Sequence, residues 1–168
     1  TLHAEAGGMH SPERFGEAMG ICAGDVAIFL ATELIGEAAT DFAMAKSLNT
    51  LFSREMVLVG LGQMQDIHFG HARTKATREE VLKLYTFKTS RYTFSLPLMA
   101  GALLAGDADK ARLLEEIGIN LGIIFQIKDD ELGLFGTSEE IGKVAGSDIR
   151  EGKMTLFMTE LMPLISGE

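Results

Sequence analysis

An all-α fold follows from three features of the sequence. Apolar residues recur at helical spacing along almost its whole length, strand-like alternation is scarce, and only three prolines interrupt 168 residues. Ser11-Pro12-Glu13 offers a capping hydroxyl, a proline at the first helical position and an acid in the first turn. A first helix is therefore expected from Pro12 to about Gly36, and a second from Asp41 to His71. Thr77-Arg78-Glu79-Glu80 has the form of a capping box and opens a third helix, expected to run to about Thr89. A fourth, rich in Ala, Gly and Leu, is expected from Tyr92 to Gly106. Asp107 then caps a fifth, from Ala108 to Leu134, which Gly136 ends. The stretch from Gly136 to Lys153 reads as the one long polar loop, a feature more often functional than decorative in a compact helical protein. Helix resumes from Met154 to Ile165. With no repeat, low-complexity tract or linker, residues 1–168 read as a single helical domain.

Composition narrows the function. The chain is 46% hydrophobic, and its apolar residues are assigned to buried helix faces. Its longest nearly uncharged run is taken as Thr93 to Gly106, shorter than a bilayer crossing and broken by Pro97, so no membrane span is expected. With 24 acidic against 15 basic residues and a net charge of −9, there is no basic stripe to neutralise a phosphate backbone, which excludes nucleic acid as the expected partner. The lone Cys22 rules out an intrachain disulfide framework and fits a reducing cytoplasm. The chain opens at Thr1 and stops at Ser166-Gly167-Glu168 just after an apolar helix begins, so both ends read as interior positions of a longer protein.

Chemistry-bearing residues fall in four places. Asp129-Asp130 follows Gln126 by one helical turn, so the amide and at least one carboxylate share a face. Adjacent carboxylates suit a hard cation such as magnesium, which takes oxygen ligands and keeps waters and substrate phosphates. A bare pair beside Lys128 is more commonly a solvated acidic edge, but Ile123, Ile124, Phe125 and Ile127 surround this one with apolar residues, where acids are costly without a role. Gln63 and Asp66, at i and i+3, suit either a locally bonded polar pair or a site. Lys88-Thr89, at an expected helix end, suits terminal carbonyls or a phosphate. The polar loop adds Lys143, Asp148 and Lys153, with Gly142, Gly146 and Gly152 permitting close backbone approach. A metal-bound diphosphate carrying a hydrocarbon tail would use magnesium, several lysines and an apolar cavity together. Among the histidines, His68 and His71 share a helix face but read as polar residues at a helix end.

The runs Phe125-Gln126-Ile127-Lys128-Asp129-Asp130-Glu131-Leu132-Gly133 and Gly142 to Lys153 closely resemble the second aspartate-rich region of trans-isoprenyl diphosphate synthases. Gly62-Gln63-Met64-Gln65-Asp66 resembles that family's Gly-Gln-x-x-Asp motif. Lys88-Thr89 with Pro97 and Gly101-Ala102 resembles its Lys-Thr region, and Ala23-Gly24-Asp25 an earlier block, all in the family's order.

The resemblance implies an orthogonal helix bundle around a central apolar cavity, homodimeric and Mg2+-dependent. It implies condensation of isopentenyl diphosphate with an allylic prenyl diphosphate, in a short-chain producer of geranylgeranyl or farnesyl diphosphate. By the same resemblance Asp129, Asp130 and Asp148 are the metal-binding acids. Lys88, Lys143 and Lys153 face the diphosphate, and Thr89, Gln126, Gln63 and Asp66 contact or support the reacting groups. The third acid of the motif is replaced by Gly133, and the first aspartate-rich motif is absent, so the segment alone is expected to be inactive. Phe29 and Phe52 are candidates for the tunnel wall or for ordinary core. A non-catalytic subunit of such an enzyme, or a helical interaction protein without a small-molecule site, are the alternatives.

Overall fold

The computed structural model describes residues 11–71, 76–137, 149 and 152–166. The chain divides into two compact units, Thr1–Asn49 and Thr50–Glu168, and all its described elements are helical.

The first unit holds α1 (Pro12–Ala38) and the opening turns of α2 (Phe42–His71). Pro12 occupies the first turn as expected, but Ser11 does not cap by its hydroxyl. Its backbone is left-handed (φ 60°, ψ 65°), whereas a capping side chain reaches the helix amides from the extended region. Asp41 does cap α2, accepting from the Met44 N–H at 2.8 Å. The expectation that no stretch reaches membrane-span length is corrected by α1. By length and composition it is long and apolar enough to cross a bilayer, with a mean hydropathy of 1.7 in its most apolar stretch. Two acids, Asp25 and Glu33, interrupt that run, so it does not stand out as an uncharged segment. Phe29, on this helix, is 74% exposed and is not core.

The second unit carries the rest of α2, then α3 (Arg78–Tyr85), α4 (Leu96–Leu104), α5 (Ala108–Phe135) and α6 (Leu156–Ser166). The capping box is present in both directions. Thr77 N–H donates to Glu80 Oε2 at 2.8 Å, and Glu80 N–H donates to Thr77 Oγ1 at 3.3 Å. These bonds hold the Glu80 carboxyl below its ordinary pKa, the Thr77 backbone N–H being the main cause. Asp107 caps α5 through the Lys110 N–H at 2.8 Å, and Gly106, at φ +77°, turns the chain between α4 and α5. His71 Nδ1 lies 2.9 Å from the Ile67 carbonyl, the local pairing expected at a helix end.

The break expected between Thr89 and Tyr92 does not occur. Thr86–Ser95 is a π-helical segment that joins α3 to α4 directly. Wider winding is marked by the Leu96 N–H bonding to the Arg91 carbonyl, five residues back. Pro97, which has no N–H to offer a preceding carbonyl, falls in the first turn of α4, where it is tolerated. Two tertiary features hold the segment. Arg91 is buried between two acids, and α5 lies against the segment through glycines.

A Cβ built on Gly122 would stand 2.3 Å from Ser90 Cα, and one on Gly118 would stand 2.6 Å from Ser95 Cα. Only hydrogen fits at either position. Gly122→Ala is therefore expected to destabilise by ~1–3 kcal/mol through overpacking, despite alanine's better helix propensity. Gly101→Ala in α4, where a Cβ meets nothing within 4 Å, is expected to be neutral or stabilising. Urea denaturation of both variants measures this, and equal effects would contradict the close approach.

Candidate active site

Gly62 brings α2 and the π segment together. A Cβ there would lie 3.0 Å from the Lys88 backbone nitrogen. One helical turn further along α2, the Asp66 carboxylate accepts a hydrogen bond and ion pair from the Lys88 ammonium. The glycine and the acid of the Gly-Gln-x-x-Asp motif thus have separate jobs: one admits the neighbouring backbone and the other receives its lysine.

The next residue of the π segment, Thr89, donates its hydroxyl to Gln126 Oε1 on α5 at 2.6 Å. Gln126 Nε2 donates to Asp130 Oδ1 at 2.9 Å, joining i to i+4 along one face of α5. Asp130 is only 4% exposed, and its other oxygen accepts from the Tyr85 hydroxyl at the end of α3. The two adjacent acids therefore have different surroundings. Asp130 is turned inward and bonded through both oxygens, while Asp129 is exposed.

These side chains surround one cleft of about 430 Å³. Asp66, Lys88 and Thr89 lie on its wall, as do Gln126, Asp129 and Asp130 from α5 and Lys153 from the segment before α6. Tyr92, Phe125 and Met154 add apolar surface. Gly152, at φ +67°, makes the turn that precedes Lys153, and its N–H bonds to the Ile149 carbonyl at 3.1 Å. Gln63 is exposed and does not line the cleft. Lys143 and Asp148, with Gly142 and Gly146, lie outside the described residues.

A network that sequence reasoning missed joins α2, the π segment and α5. Glu55 of α2 is fully buried and accepts two bonds from Arg91, from Nε at 2.7 Å and from Nη2 at 2.6 Å. Arg91 Nη2 also reaches Glu115 Oε1 on α5 at 2.8 Å. The Glu55 carboxylate, then Glu115, raises the guanidinium pKa against the opposing effect of burial. Locally Glu55 looks like any helical acid beside Arg54, so no short-range signal marked it.

The cleft's donor set fits a hard divalent cation with a phosphate counterpart. Asp129 offers a free-facing carboxylate, and Lys88 and Lys153 stand on the same wall. Among the described residues no group of three or more His, Cys, Asp or Glu comes together, so further ligands would have to be waters, phosphate oxygens or other side chains.

Known proteins resemble this chain in sequence and in fold. A family model described as polyprenyl synthetase matches residues 7–166, a range that includes α1. The geranylgeranyl diphosphate synthase of Sulfolobus acidocaldarius is 35% identical over 154 residues, 90% of this chain and 46% of that protein. The farnesyl diphosphate synthase of Geobacillus stearothermophilus is 36% identical over 147 residues, 84% of this chain and 48% of that protein. Among solved structures, geranylgeranyl pyrophosphate synthase from Corynebacterium glutamicum, complexed with isoprenyl diphosphate and magnesium, superposes with a TM-score of 0.84 at 31% identity. It covers 94% of this chain and 45% of its own. The chain thus spans about half the length of the relatives it matches. Its fold is the all-α fold of these synthases, and the chain belongs to the polyprenyl synthetase family.

Proposed function

We propose that this chain is part of a prenyltransferase that condenses isopentenyl diphosphate with an allylic prenyl diphosphate. The observation that carries the proposal is the cleft itself, where an exposed Asp129 stands with Lys88 and Lys153, backed by the Thr89–Gln126–Asp130 chain. Asp129 is assigned as the residue that would hold Mg2+, with Asp130 behind it and Asp148 as a further acid. When bound, the metal supplies charge neutralisation to the departing diphosphate.

The chain's own residues do the rest. Lys88 and Lys153, with Lys143, bind and orient the diphosphate. Asp66 keeps the Lys88 ammonium at the cleft wall until the more highly charged diphosphate competes for it. Thr89 and Gln126 present a fixed pair of dipoles where positive charge develops on the allylic carbons. Tyr92 and Phe125 keep the wall apolar, which strengthens each electrostatic contact by excluding water. The product class is a short-chain prenyl diphosphate, geranylgeranyl or farnesyl. Residues 1–168 count as one domain of the enzyme. Homodimeric assembly and a cytoplasmic location belong to the same reading, in which α1 is a helix of the family fold, inside the matched range of residues 7–166, and not a membrane span.

The test is thermal stabilisation of the full-length protein by a bisphosphonate, a non-hydrolysable diphosphate mimic. A rise in Tm of several degrees is expected with bisphosphonate plus Mg2+, and little with either alone, because a ligand bound only by the folded state stabilises it by mass action. No rise with the combination would favour a helical interaction protein without a small-molecule site.

A further inference from the structure

We propose that Tyr85 is a positioning residue that sets the spacing between the Asp129 helix and the Lys153 segment. The inference deepens the reading above and rests on it. Tyr85 is the last residue of α3 and is 5% exposed. Its hydroxyl bonds described residues on two different elements. It donates to Asp130 Oδ2 on α5 and accepts the Leu156 N–H at the start of α6, at 2.9 Å.

Leu156 is three residues after Lys153, and Asp130 is the immediate neighbour of Asp129. Consecutive side chains on a helix leave it ~100° apart, so a carboxylate pinned inward at 130 fixes the direction of the one at 129. The same oxygen that pins Asp130 ties down the backbone carrying Lys153. One phenolic oxygen therefore links the neighbour of the acid that would ligate metal to the backbone three residues beyond the ammonium that would meet the phosphate. Gln126, bonded to the second oxygen of Asp130, completes the inward clamp. A phenylalanine would fill the same space between Val81, Ile127 and Leu156 in the core cluster while removing both bonds. Packing is thereby separated from positioning.

The experiment is Tyr85→Phe in the full-length protein, with turnover followed against Mg2+ concentration and backbone amide exchange followed at Leu156. Groups that orient a metal ligand typically change metal affinity by about 10–100-fold. The half-saturating Mg2+ concentration is accordingly expected to rise about tenfold, with kcat at saturating Mg2+ changing less than about threefold. Leu156 exchange is expected to accelerate at least about tenfold, as its N–H loses its acceptor. An unmoved Mg2+ dependence, even with a lowered Tm, would reduce Tyr85 to a core residue and overturn the proposal.

Should the variant not fold, the wild-type protein decides. Mg2+ plus inorganic pyrophosphate is expected to slow exchange at Leu156, and indifference of that amide overturns the proposal. The prenyltransferase reading fails separately, through absence of Mg2+-dependent turnover in the wild type.

Discussion

Asp129→Ala in the full-length protein is expected to lower kcat by about a hundredfold or more while leaving Tm within a few degrees of wild type. The two halves of this expectation have different physical origins. Asp129 is exposed, and among the described residues no hydrogen bond or ion pair ties it to the fold, so its removal opens no core and orphans no buried partner there. Its neighbour Asp130 is the acid that the fold uses. The catalytic loss arises because a carboxylate that holds a divalent ion acts mainly where charge accumulates on the leaving group, in the transition state. A hundredfold loss corresponds to about 2.7 kcal/mol of barrier. Steady-state kinetics with a thermal melt on the same preparation measures both. A loss of activity under about tenfold would remove Asp129 from the ligand role.

Arg91→Met is expected to produce the largest loss of stability of any single change considered. It leaves the fully buried Glu55 without the guanidinium that donates two hydrogen bonds to it. Removing one partner of a buried ion pair costs roughly 3–5 kcal/mol, because the other charge stays desolvated. For a domain of this size that lowers Tm by at least about 6 °C. The double variant Glu55→Leu/Arg91→Met is expected to recover most of the loss, since two apolar side chains of similar volume replace the pair. Glu115, with a side chain 32% exposed, can turn to water. Equilibrium denaturation of the single and double variants provides the comparison. A single variant within about 1 kcal/mol of wild type would show that the pair does not stabilise the fold. The site is expected to feel the change as well, because Arg91 lies two residues beyond Thr89 in the same π segment.

Much of the helical framework and of the site was legible locally. Short-range signals act within one or two turns, so Thr77–Glu80 and Asp107 marked helix starts from side-chain chemistry alone. The residues Asp66, Lys88, Thr89, Gln126, Asp129, Asp130 and Lys153 were identified by type and motif, and the structure gathers all of them at one cleft. Ser11 failed as a cap because its backbone adopted a left-handed conformation that its residue type does not announce. The length of α1 was missed for a simpler reason: two acids, Asp25 and Glu33, interrupt an otherwise apolar run.

The sequence by itself determined the helical class, the family motifs and the residue types at the site, since periodicity, caps and motif spacing are written in neighbouring residues. Only the tertiary structure decided that Lys88 and Thr89 lie within a continuous π-wound segment, that Asp130 is buried while Asp129 is exposed, and that Tyr85 joins α5 to α6. Those outcomes depend on partners 22 to 71 residues away in the chain, such as Lys88 with Asp66 and Tyr85 with Leu156. Contacts over such separations exist only once helices pack, so no local pattern encodes them.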